Sequence, residues 1–458
     1  RLSFHMDLRR APSSRAIRLL LGLALAAAGL SARAETPGPD VDPRVVTLLS
    51  GVSEPRLAAT LQKLGSFQTR HTLSSEAPGR GIAAAGQWML EGLRAASPRL
   101  QVAFDTYAVP KQGERVTRDV ALRNVMAVLP GRSARRFYVS GHYDTVARQP
   151  GGAFDWTITD NPAPGVNDDG SGTALTLELA RVFAQSGIEF DATLVFIAFA
   201  GEEQGLVGAK LHAQKAAAES WTIDGVLNND IVGGVRGGDG TVDSASVRVF
   251  SEGPEDSRSR QLARAIRRQA ARYVPGHRVR LVARHDRFGR GGDHTAFNQH
   301  GFPGVRFSES KENFARQHVA EDTFEGVSPD YLAKNARVNA AALAVLALAP
   351  PAPGVVDERG RPLLDRQPSG YDARLRWTAS PGAAGYRVFW RDSWSADWQH
   401  ERTVGAVTEL VLPGLSIDDH VFGVAALGPG GHESLVSAYV NPPRPEQRIL
   451  TGQEAPAR

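Results

Sequence analysis

The chain has 458 residues, 42% of them hydrophobic and 22% charged, and it contains no cysteine. The length exceeds one ordinary domain and the composition excludes a disordered or fibrous chain; the lack of cysteine excludes a disulfide framework and any thiolate metal site, so a bound metal would depend on His, Asp and Glu. The formal charge of +4 arises at the start of the chain, because residues 1–34 carry six Arg and one Asp and leave 47 basic against 48 acidic residues, which gives no electrostatic case for nucleic acid.

In chain order, residues 1–34 read as a signal peptide. Arg9, Arg10, Arg15 and Arg18 form a basic region, LLLGLALAAAGL (19–30) an apolar one, and ARA (32–34) a cleavage site. Twelve apolar residues fall short of the roughly 20 that span a bilayer. The expectation is therefore no membrane span, with a secreted or periplasmic protein after cleavage near Ala34. Residues 35–349 read as one domain, a loose leader over 35–43 and then alternating helix and strand from Arg44. GIAAAGQWMLEGLRAA, SGTALTLELARVFAQSG and SRSRQLARAIRRQAARY have helical periodicity; VALRNVMAVLPG, RFYVSGHYDT, ATLVFIAFAGEE, IDGVLNND and SVRVFSEG read as strands. This pattern predicts an α/β fold with a mixed, largely parallel sheet flanked by helices, and ligands at the carboxyl ends of the strands. A closing helix is expected over 328–349. PPAPG (350–354) marks a linker, expected to hold two independently folding units apart. Residues 355–442 then read as a small all-β sandwich and 443–458 as a disordered tail.

Polar residues gather at the predicted strand ends. SGHYDT offers His142 and Asp144, PGVNDDGSG offers Asp168 and Asp169, GEE offers Glu202 and Glu203, NND offers Asp230, and RQHVAEDT offers His318. Singly, each has a structural alternative: a satisfied histidine, a helix cap, a solvated strand-end charge, a turn residue. Together they fall where an α/β fold collects its active site. Histidine and carboxylate donors without sulfur suit zinc. Two such ions about 3.5–4 Å apart are a hydrolytic arrangement.

The segments GHYDT, PGVNDDGSG, AFAGEEQGLVGAK, NND and SESKENFARQHVAEDT resemble the secreted di-zinc aminopeptidases of the co-catalytic zinc exopeptidase clan, in order and in spacing, over residues 45–349. The resemblance implies two zinc ions per chain. His142 and Asp230 would hold one, Glu203 and His318 the other, and Asp168 would bridge them. Asp144 would hydrogen-bond the far nitrogen of His142, and Asp169 would cap the following helix. Glu202, facing away from Glu203 on an extended chain, would be the general base for a metal-bound hydroxide. Arg290, in RFGRGGDHTAF, would stand where relatives place an oxyanion tyrosine. In the same stretch Asp293 is expected to cap a helix, and His294 is an alternative ligand ranked below His318.

The implied activity is removal of N-terminal residues from peptide or protein substrates. A carboxypeptidase, a glutaminyl cyclase of the same clan and a non-catalytic binding protein are the alternatives. ARLRWTAS, GYRVFWRD and LPGLSIDDHVFGVAALGPGGHES resemble a fibronectin type III domain, with Trp377 and Tyr386 in its core and His420 at the usual corner tyrosine. Trp390, Trp394 and Trp398 offer either core residues or a platform for a surface or polymer. A monomer is expected.

Overall fold

A computed structural model describes residues 41–440. The expected signal peptide and C-terminal tail lie outside the described residues. Eight strands form one twisted sheet: β1 (Gln101–Val109), β2 (Val120–Leu129), β3 (Arg136–His142), β4 (Thr193–Phe199), β5 (Ile223–Asn229), β6 (Ser246–Ser251), β7 (Arg278–Val282) and β8 (Gly304–Glu309). Their order is β1-β2-β4-β3-β5-β8-β6-β7. The centre, β4-β3-β5-β8, is parallel, β6 and β7 pair parallel at one edge, and β1 and β2 run antiparallel at the other. The central strands are buried almost throughout, as both-face burial requires of an apolar run such as TLVFIAF.

Eight helices cover the sheet: α1 (Pro43–Ser50), α2 (Glu54–Ser66), α3 (Gly81–Ala96), α4 (Gly170–Gln185), α5 (Val207–Ala218), α6 (Arg258–Tyr273), α7 (Asp293–Asn298) and α8 (Pro329–Leu348). Their starts follow capping chemistry. Asp42, Ser53, Asp169, Ser257 and Ser328 each accept a hydrogen bond from an amide of the first turn, which satisfies a donor the helix itself leaves free. α8, apolar nearly all round, lies in the core with Leu332, Leu343 and Leu346 fully covered. No helix among the described residues is long and apolar enough to cross a membrane.

Beyond Pro350 two small antiparallel sheets form a sandwich. β9 (Leu364–Arg366), β10 (Ala373–Arg376) and β13 (Glu409–Leu412) make one; β11 (Gly385–Asp392), β12 (His400–Val404), β14 (His420–Leu427) and β15 (Ser437–Ala438) make the other. Trp377 and Tyr386 meet in its core with ring centroids 5.4 Å apart. His420 closes the corner with Nδ1 3.0 Å from the Ser416 carbonyl oxygen.

The Pro-rich stretch does not keep this sandwich clear of the α/β lobe. Arg391, 1% exposed, donates to both oxygens of Asp256, just ahead of α6. Arg264 of α6 donates to the Ala396 carbonyl, Trp398 Nε1 donates to Gln261, and Arg268 pairs with Glu401 and Glu433. His432 Nε2 lies 2.9 Å from Asp42, the cap of α1. Of the three tryptophans in WRDSWSADW, Trp398 therefore packs against α6 and Trp390 stacks on His400, while Trp394 is 78% exposed.

Candidate metal and active site

Each expected site residue follows an element of the parallel centre. His142 is the last residue of β3 and Asp230 follows β5. Asp168 precedes α4, Glu202 and Glu203 turn off the end of β4, and His318 lies nine residues beyond β8. The structure brings all of them together. Asp168 Oδ1 lies 3.4 Å from His142 Nε2, and Asp168 Oδ2 lies 3.0 Å from His318 Nε2. Asp230 Oδ1 sits 3.9 Å from His142 Nε2, and Glu203 Oε1 sits 3.1 Å from His318 Nε2. One carboxylate thus faces two imidazoles, each with a further carboxylate of its own. His142, Asp168 and Glu203 offer donor atoms close enough together to hold a metal ion, as do His142, Asp169 and Asp230. Asp169 is the less available of these. Its oxygens accept from the amides of His142, Gly172 and Ile231, so it caps α4 and ties β3 to β5.

The donor set fits a cation. Asp168 Oδ2 and Glu203 Oε1 are buried without a well-formed hydrogen bond, a costly state that a positive ion relieves. Burial alone would lower the His318 pKa, but Glu203 and Asp168 raise it to about 11. Glu202 is pushed well above the usual carboxylate range by burial, opposed by His142 and reinforced by Glu203 and Asp230.

Two expectations are corrected. Nδ1 of His142 donates not to the Asp144 carboxylate, which is 3.6 Å away, but to the Asp144 main-chain oxygen at 3.1 Å. That bond still fixes the tautomer with Nε2 free toward the acids. The Asp144 carboxylate instead accepts from the amides of Glu202 and Glu203, at 3.1 Å each. Consequently Glu202 and Glu203 lie in a turn, not on an extended chain. Gly201, at φ 74° and with Leu122 Cδ1 2.7 Å from where a Cβ would sit, lets the chain leave β4.

The stretch around Arg290 also differs from expectation. α7 is capped by Gly292, not by Asp293. Both Asp293 oxygens are buried without a partner, and burial raises its pKa to about 8, with His142 opposing and Asp144 and Asp230 adding. His294 lies outside the cluster, its Nε2 2.7 Å from the His285 carbonyl oxygen. Arg290 reaches the rim, where Nη1 donates to Gln317, the neighbour of His318.

Sequence reasoning missed the buried cation behind the site, though the link between His142 and Asp168 offers Phe154 and Trp156 either for the cleft rim or for packing under it. Arg306, fully buried in β8, bonds Asp230 at 3.0 Å and Asp286 at 3.0 Å. An arginine inside the strand GVRFSE was the available signal, since a buried guanidinium demands carboxylates. Phe154 lies 5.6 Å from the His318 ring and stacks on Trp156, with Arg148 and Arg115 over their outer faces. Three of the five described non-glycine residues with positive φ, Leu206, Ile231 and His318, lie in the site's own segments, within three residues of Glu203 and Asp230 and at His318 itself, where strained backbone is concentrated.

A cavity of about 220 Å³ opens beside Asp168, lined by Glu309, Arg316, Gln317 and Asp322. Two larger ones, about 580 Å³ between α3 and the start of β2 and about 560 Å³ beside Arg115 and Gln204, touch none of the acid and histidine cluster, and Asp168 is the member of that cluster that lines the smaller.

The family model for peptidase family M28 matches residues 124–343. A "probable zinc metalloprotease" of Pyrenophora teres f. teres is 36% identical over 431 residues, spanning 86% of this chain and 86% of that protein. One from Pyricularia oryzae is 38% identical over 438 residues, spanning 86% and 84%. Two solved structures share the fold. LapA aminopeptidase of Legionella pneumophila has a TM-score of 0.50 at 19% identity, over 66% of this chain and 74% of its own. Porphyromonas gingivalis glutaminyl cyclase has 0.51 at 17%, over 64% and 97%. By the extent and identity of these sequence matches, the chain belongs to peptidase family M28.

Proposed function

We propose that this chain is an exported, zinc-dependent exopeptidase that acts as an aminopeptidase. The observation that carries the reading is Asp168, whose two oxygens face His142 and His318 separately while Glu202 stands beside them. His142 and Asp230 would hold one zinc ion, Glu203 and His318 a second, with Asp168 between. The description of the fungal relatives as zinc metalloproteases supports the metal.

When bound, zinc supplies Lewis acidity, polarising a scissile carbonyl and acidifying water. Glu202 takes the proton from the attacking water and passes it to the leaving amine nitrogen, so the carboxylate ends as it began. Asp144 holds the Glu202 and Glu203 amides and so fixes where both side chains start. Phe154, on the ring of His318, narrows access for water from that side. Arg290, tied to Gln317, serves as a donor to the substrate at the rim. The choice of amino-terminal over carboxyl-terminal cleavage is supported by the likeness of the five motif segments to the di-zinc aminopeptidases.

The test is a panel of aminoacyl chromogenic substrates beside amino-blocked, carboxyl-blocked and N-terminal glutaminyl peptides. Cleavage is expected only where the amino terminus is free. Cleavage that needs a free carboxyl terminus, or ammonia release from the glutaminyl peptide without peptide cleavage, overturns the reading. Export is checked by N-terminal sequencing of the protein outside the cytoplasm, expected to begin near Glu35; an intact basic leader refutes it.

A further inference from the structure

Arg70 is fully buried in the segment between α2 and α3, and its side-chain bonds go to main-chain oxygens. Nε donates to Tyr143 O at 2.7 Å, Nη1 to Leu64 O at 3.0 Å and Pro164 O at 2.5 Å, and Nη2 to Gly165 O at 2.8 Å. Its backbone joins the same contacts, with Arg70 N donating to Thr145 Oγ1 and Thr145 N donating to Arg70 O.

These acceptors are not scattered. Tyr143 lies between His142 and Asp144. Pro164 and Gly165 lead into Asp168, and Gly165 O also accepts the Gly170 amide that opens α4. Gly165 has φ 49°, and a Cβ there would sit 2.2 Å from Thr145 Cγ2, so the two turns already touch. A guanidinium presents five donors in a rigid plane, which suits it to fix several carbonyls at once. Burying that charge is expensive. Burial lowers the Arg70 pKa to about 10, and it is held there by the fields of Asp322, Asp144, Asp169 and Asp168.

We propose that Arg70 is a positioning residue of the metal site: its planar fork clamps the turn after β3 to the turn before α4, setting the spacing of His142 from Asp168 before any cation arrives. The inference rests on the metal-site reading above but not on peptide cleavage. Zinc affinity without substrate therefore tests it separately from the peptidase assignment.

The experiment compares Arg70→Met and Arg70→Lys with the wild type, measuring zinc affinity by competition with a chromophoric chelator and the thermal midpoint of the zinc-stripped protein. Loss of a supporting contact to a metal site typically weakens affinity 10–100-fold. Both variants are expected to fall by roughly that factor, because lysine keeps the charge but not the fork. Arg99→Met is the control. Arg99 also donates to main-chain oxygens, those of Ala184 and Ile188, but away from the site. It is expected to lower the midpoint and leave zinc affinity unchanged. If Arg70→Met does not fold, Arg70→Lys carries the test. Wild-type zinc affinity in Arg70→Lys, or a lowered midpoint with unchanged affinity in either Arg70 variant, overturns the proposal.

Discussion

Replacing Asp256 by alanine probes whether the C-terminal sandwich and the α/β lobe form one cooperative body. Asp256 takes two bonds from Arg391, at 2.7 and 2.8 Å, and Arg264 Nη1 lies 3.7 Å from it. Arg391 is 1% exposed and has Trp398 5.6 Å from its guanidinium carbon. Its other bonds reach only the carbonyls of Asp392 and Ser395. Asp256→Ala therefore leaves a buried cation without a counter-ion, a change that costs about 3–5 kcal/mol. Because those two carbonyls survive, the lower end is expected. With an unfolding entropy of about 2.1 cal/mol/K per residue over about 400 residues, 3 kcal/mol corresponds to a fall of roughly 3–4 °C in midpoint. Adding Arg391→Met should recover at least ~1 kcal/mol, since removing both partners is far less costly than removing one. The assay is urea and thermal unfolding followed by tryptophan fluorescence. A loss under ~1 kcal/mol for the single variant, no recovery in the double variant, or a separate early transition of the wild-type sandwich would refute the docked arrangement.

Two further outcomes follow from the site. Glu202→Gln should keep its zinc and lose about 10²–10⁴-fold in kcat, whereas Glu203→Ala should lose affinity for one ion; metal analysis showing the reverse would exchange the two roles. His71 and His294 are held neutral by burial, with pKa values lowered to about 4. The unfolded chain protonates near pH 6.5 and the folded one does not, so stability is complete above pH 6.5. Between 6.5 and about 4 it falls by up to ~1.4 kcal/mol per pH unit per histidine. His71→Gln should flatten that acid limb, and an unchanged limb would show that its titration is not coupled to folding.

Three strands of the parallel centre, β3, β4 and β5, were readable because they are buried on both faces and therefore spell continuous apolar runs. The residues that follow them were readable because polar groups have little reason to stand there unless they meet something. β1 escaped, since at the sheet edge its burial is broken and QVAFDTYAV mixes exposed and covered positions. β8 escaped for the opposite reason. GVRFSE is wholly buried, but Arg306 interrupts its apolar character, and the acids that license it lie 76 and 20 residues away along the chain. The same holds for the side chains behind the site. Arg70 meets its carbonyl acceptors only after α2, the β3 turn and the segment before α4 have come together, so QTRHT carries no local sign of its role. The docking of the sandwich on α6 was hidden likewise, because an arginine-rich helix face reads as solvated until Glu401, Glu433 and Asp256 are placed against it.

Two adjacent glutamates survive at the end of β4 because the charges around them are sorted by position. Asp230 is met from outside by Arg306, and Arg306 by Asp286. Arg70 stands behind the turns that bear His142 and Asp168. The amides of Glu202 and Glu203 both point at Asp144, and Asp169 is consumed by three further amides. Fixed cations and amide dipoles thus hold the periphery, while Asp168 Oδ2 and Glu203 Oε1, buried without a well-formed hydrogen bond, both face the His318 imidazole. A site built this way takes its shape from backbone bonds and leaves an ion to neutralise charge. Stripping the metal with a chelator should therefore abolish activity while far-UV circular dichroism stays unchanged and the thermal midpoint falls, and zinc should restore both midpoint and activity. Loss of secondary structure on stripping would show that the ion also organises the fold, and full activity in the stripped protein would remove the metal from the mechanism.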